Sequence, residues 1–180
     1  MTLPGQLDPG VVTDTSGPLR GAVSFALVLV SGWAILTVDA DFVDDSVDSL
    51  LDRPAVAILY GIAAYVIVVL VGLYGVTTLA RVSVAGGVIG QLGILITGGV
   101  VLVLTGFGFL VVGTVLTEIH RYRRPMYGVV IGACLSAVCW TLLPPARGLL
   151  ACVAVAAFGI GGSVRVWIHS ERTVKTEQDG

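Results

Sequence analysis

Apolar and polar positions alternate along this chain in long blocks. Apolar stretches cover 21–38, 55–74, 82–117, 126–143 and 149–168, and short polar stretches separate them. Each apolar block holds at least 18 residues. A helix needs about 20 apolar residues to cross the hydrocarbon core of a bilayer. The pattern therefore predicts an all-α, polytopic transmembrane helix bundle spanning 21–168. A mobile N-terminal tail (1–20) precedes it and a polar C-terminal tail (169–180) follows.

The block from Val82 to Thr117 decides the topology. Its 36 residues include no charged side chain. That is long for one span and barely enough for two. Glycines punctuate it in two stripes. At 100° per residue, Gly86, Gly90, Gly93 and Thr97 share one face, while Gly99, Gly106 and Gly113 recur every seven residues on another, roughly 170° away. A reversal at Gly98-Gly99 would give each half its own small-residue face and make six spans. Thr77 and Thr78 would then offer N-cap oxygens to the first of the two new helices. The alternative is five spans, with 82–117 as one long helix. Small faces bring backbones close, and that contact drives helix association in lipid. Gly128 and Gly132 form a further GxxxG pair.

The remaining boundaries are ordinary. Pro54 and Pro125 each open a span, where a missing N–H costs nothing. Pro144-Pro145-Ala146-Arg147-Gly148 reads as a tight turn. A signal peptide cut after Ala40 is conceivable, but the 18-residue apolar run exceeds the 7 to 15 of a typical signal, so a retained first span is expected.

Charge adds direction. Only 12% of residues are charged and mean hydropathy is +0.96, far from the roughly 25% charged of a soluble domain. With six spans, eight basic residues lie on one side and Arg53 and Arg147 on the other. That layout puts both termini in the cytoplasm, with Arg121, Arg123 and Arg124 as the strongest topology anchor. With five spans, Arg20, Arg81 and Arg147 face the other seven, and the N-terminus is outside. The better segregation favours six spans.

Residues 39–53 carry six aspartates against Arg53. They lack the spacing of a calcium loop. The expectation is a solvated acidic segment, with Phe42, Val43, Val47, Leu50 and Leu51 forming the apolar side of a short amphipathic helix at the membrane surface.

Candidate chemistry is sparse. Gln91, Thr97, Thr105 and Ser136 are the polar groups placed to line a path. A glutamine hydrogen-bonded to a neighbouring helix is the commoner role. No nucleophile, zinc or phosphate-loop motif stands out. Cys134, Cys139 and Cys152 have no metal-ligand spacing and read as packing residues. The expectation is a non-enzymatic membrane component without cofactor, metal or nucleic-acid partner. It would associate with a second copy or another membrane protein through its glycine faces. A small carrier or channel for a neutral solute is the alternative.

Overall fold

A computed structural model describes residues 15–82, 88–118 and 124–177. Among them are six helices: α1 (Gly17–Val38), α2 (Ala40–Asp52), α3 (Pro54–Val82), α4 (Val88–Glu118), α5 (Pro125–Leu142) and α6 (Pro145–Glu177). Five of these, all but α2, are long and apolar enough to cross a membrane. The protein is an all-helical, multi-pass membrane protein, with the five-span division of its chain.

The boundaries follow from local chemistry. Pro18 lies in the first turn of α1. Asp39 leaves the helix with extended backbone, and its carboxylate accepts the Phe42 N–H at 2.9 Å. That residue ends α1 and caps α2. Pro54, Pro125 and Pro145 each begin a helix, where the absent N–H has no intrahelical partner to lose.

The reversal considered at Gly98-Gly99 is absent. Both glycines lie inside α4, and a Cβ on either would meet nothing within 4 Å. The reason is the solvent. Lipid supplies no hydrogen bonds, so a turn there would strand backbone carbonyls and amides. A glycine pair costs a helix only about 1 kcal/mol per residue, less than stranding those groups. Thr77 and Thr78 do not cap a new helix either. Both sit within α3 and donate back to the Tyr74 carbonyl at 2.9 and 2.7 Å. An odd number of passes puts the start of α1 and the end of α6 at opposite ends of the bundle. Backbone helix also continues past residue 168, since α6 runs to Glu177.

Helix α4 is the hub. It packs against α1, α3, α5 and α6, while α1 pairs most extensively with α5 and α3 with α6. Nearly every one of these seams passes through a glycine. Gly108 of α4 lies on Ala156 and Gly159 of α6, Gly113 on Gly128 and Gly132 of α5, and Gly106 on Ser31 of α1. Gly61 and Gly161 join α3 to α6, and Gly21 meets Ala137 and Thr141 across α1 and α5. A Cβ on Gly108 would sit 2.6 Å from the Ala156 Cα, and one on Gly132 2.8 Å from the Phe109 carbonyl carbon. Those backbones touch.

The two ends of the bundle differ. Residues 106–111 of α4 are buried without interruption, centred on fully enclosed Phe109, Leu110 and Val111. No described residue of α4 before Gly106 is buried. The tight end also holds α2. Its Val43, Val47 and Leu50, spaced one helical turn apart, are fully buried, and Ser46 rests on Gly162 of α6. Phe42 stacks on Phe107 with ring centroids 5.6 Å apart. The acidic helix therefore lies on α6 and α4, with Asp41, Asp45, Asp48 and Asp52 on its exposed side.

These contacts predict a contrast. Gly108→Ala should lower the unfolding midpoint in detergent sharply, since overpacking against a backbone costs about 1–3 kcal/mol. Gly99→Ala should leave it unchanged or raise it slightly, because alanine favours helix and meets open space. Equal midpoints for the two variants would contradict the packing.

Candidate functional site

The open end of the bundle encloses a cavity of about 470 Å³ lined by α1, α3, α4, α5 and α6. Four helices send polar side chains toward it. Thr105 of α4 donates to its own Val101 carbonyl at 2.7 Å and pairs with the Tyr65 hydroxyl of α3 at 3.1 Å. Ser24 of α1 lines the wall and is hydrogen-bonded to Ser136 of α5. Cys152 of α6 lines the same space. Arg20, in the first turn of α1, also lines the cavity, and the rest of the wall is mainly apolar.

Local sequence explains the placement. A hydroxyl inside lipid must find an acceptor. Tyr65 is buried at 9% exposure, so its phenol reaches across to α4 rather than to water. Ser24 and Ser136 satisfy each other between α1 and α5. Cys139 and Cys152 are buried free thiols, whereas Cys134 is exposed on the outside of α5.

The residues singled out from sequence scatter. Thr105 reaches the cavity, and Ser136 sits behind its wall. Thr97 lies instead between α4 and α3, its methyl group against Gly72. Gln91 belongs to the α4 backbone, but its side chain lies outside what is described. Gly90 and Gly93 fall in the first turns of α4, while Gly86, Arg121 and Arg123 lie outside the described residues. Arg124 precedes α5 with extended backbone, its guanidinium 6.0 Å from the centre of the Tyr127 ring. Sequence reasoning passed over Tyr65 and Ser24. Each is a hydrogen-bonding group in the middle of an apolar block, and that was the available signal.

Chemically, the cavity offers hydroxyls, a thiol, an indole and one guanidinium around hydrocarbon. Most of the hydroxyls already serve as cross-links between helices. The Ser24–Ser136 pair should therefore show coupling in a double-mutant cycle. Unfolding of Ser24→Ala, Ser136→Ala and the double variant should reveal an interaction of about 0.6 kcal/mol, the average for such bonds in lipid. Strict additivity would remove the cross-link. No protein-family model, curated protein or solved structure matches this chain.

Proposed function

We propose that the chain is a non-catalytic membrane component that assembles with a second copy or another membrane protein along the open flank of α4. The observation that supports this reading is the fate of one glycine stripe. Gly113 closes on α5 and Gly106 on α1, and the same stripe continues to Gly99, where nothing lies within 4 Å. Gly75 of α3 and Gly98 are equally open. The chain thus carries the surface of a close helix contact beyond the point where its own helices use it. Small residues exposed to lipid are the feature through which membrane helices approach one another.

Orientation follows from charge. Five passes sort Arg20, Arg81 and Arg147 to the end where α1 begins, and the other seven basic residues to the end that holds α2. The positive-inside rule makes the α2 end cytoplasmic and the start of α1 external. The accessibility of a cysteine placed at Ser16 to an impermeant reagent on intact cells reads this directly.

The association is tested by energy transfer between two dye-labelled populations of the chain in liposomes. Gly99→Leu should weaken self-association about tenfold, which corresponds to 1.4 kcal/mol, with the unfolding midpoint retained. Transfer unchanged by the substitution would sink self-association along this flank. A second reading, a carrier for a neutral solute, draws on Thr105 and Tyr65 lining one cavity. Vesicles holding the protein would then take up small polyols faster than empty ones, and Thr105→Val would abolish the difference. Uptake at the empty-vesicle rate removes that alternative.

A further inference from the structure

A second cleft, of about 650 Å³, opens at the other end of the bundle, between α1, α2, α4 and α6. Its walls are hydrocarbon apart from three groups. Ser31 is engaged with its own helix, donating to the Leu27 carbonyl at 2.8 Å. Asp39 stands at the α1–α2 corner and is exposed. Ser163 of α6 is 7% exposed, and its Oγ has no hydrogen-bond partner among the described residues.

That hydroxyl departs from its neighbours. Ser46, Thr105, Thr114 and Thr117 each donate to a carbonyl three or four residues back. This return bond is the usual solution for a hydroxyl in an apolar helix. Ser163 leaves it unmade and lines the cleft instead. A buried hydroxyl without a partner is destabilising. A bridging water would need two to four polar partners, and the surrounding wall is apolar.

Access is lateral. Val38, Phe42 and Val103 line the cleft and are exposed on the bundle surface, Val103 by 52%. A hydrocarbon chain in the bilayer would enter without crossing water. In sequence the uncharged run of α6 after Arg147 ends at Arg165, two residues beyond Ser163. That charge puts Ser163 near the edge of the hydrocarbon, where lipid ester groups lie.

The head end is constrained by charge. One Asp39 oxygen caps α2 through the Phe42 N–H, and a carboxylate retains further acceptor sites. Asp41 and Asp45 follow on the exposed side of the same helix. Among the described residues the one charged group lining the cleft is the Asp39 carboxylate, which repels a phosphate and accepts a hydroxyl. We infer that this cleft is a binding site for a neutral, hydroxyl-bearing lipid of the diacylglycerol class. One chain fills the cleft, an ester carbonyl accepts the Ser163 hydroxyl, and the free hydroxyl donates to the Asp39 carboxylate.

The test uses the full chain in phosphatidylcholine vesicles with a diazirine-bearing diacylglycerol. After illumination, adducts are mapped by mass spectrometry. Adducts should concentrate on the segment from Val38 to Phe42 and on the peptides holding Phe107 and Ser163. Excess dioleoylglycerol should compete, and equal dioleoylphosphatidylglycerol should not. Ser163→Ala should cut cleft labelling about fivefold, the worth of one hydrogen bond. Ala34→Trp, at an exposed position that tolerates bulk, should abolish it. Asp39→Asn keeps an N-cap residue and removes the charge, so the anionic lipid should then compete. Three results would overturn the inference. The first is labelling spread evenly over the lipid-facing side of α3. The second is Ser163→Ala labelling equal to that of the parent. The third is equal competition by the anionic lipid against the parent protein.

Discussion

Everything in this bundle rests on backbones touching. In water, helices associate because apolar surface leaves solvent. In a bilayer that force is absent, since lipid tails solvate leucine as well as another leucine does. What remains is short-range contact, and short range demands small residues. Gly108 against Gly159, Gly113 against Gly128 and Gly61 against Ala157 bring main chains together where any side chain would hold them apart. The chain holds 24 glycines, and those at the seams convert an otherwise featureless apolar sequence into one arrangement. Cross-helix hydroxyl pairs, Tyr65 with Thr105 and Ser24 with Ser136, then fix rotation about the helix axes.

The same contacts divide the molecule into unequal halves. Where Gly106, Gly108 and Gly113 crowd together, α4 is enclosed on every side and α2 seals the end. Toward the start of α4 the partners fall away. The helix is left with lipid on one flank and a hydroxyl-lined cavity on another. The tight half is the scaffold, and its cleft at Ser163 lies where α1, α2, α4 and α6 meet. The open half keeps Gly98 and Gly99, where an added Cβ would meet nothing within 4 Å.

Much of this was legible in the residues. Runs of 18 or more apolar residues mark spans because lipid leaves the chain no other regular structure than a helix of that length. Val43, Val47 and Leu50 announced the inner face of α2 by their spacing, although their partner is α6 and not only the membrane surface. The seven-residue stripe of Gly99, Gly106 and Gly113 was visible as a stripe, yet not as one that meets two different helices and then runs out. The division of 82–117 went astray at Gly98-Gly99 because glycine signals turns in water. Inside lipid, the cost of unpaired backbone groups outweighs that local preference. Ser163 was hidden for another reason. A serine with an unmade bond reads the same in sequence as one bonded to its own helix, and only the arrangement of α1, α2 and α4 around it separates the two.

The central claim is that α4 crosses the bilayer once, as a continuous helix locked by its glycines. It follows that Asp48 and Arg124 stand on the same side of the membrane. Single cysteines at these two positions, in a chain with Cys134, Cys139 and Cys152 replaced, are probed with an impermeant maleimide on intact and then permeabilised cells. Both should stay unlabelled until permeabilisation. Labelling of one from outside and the other only from within would show a reversal inside the long apolar run, and would contradict the account.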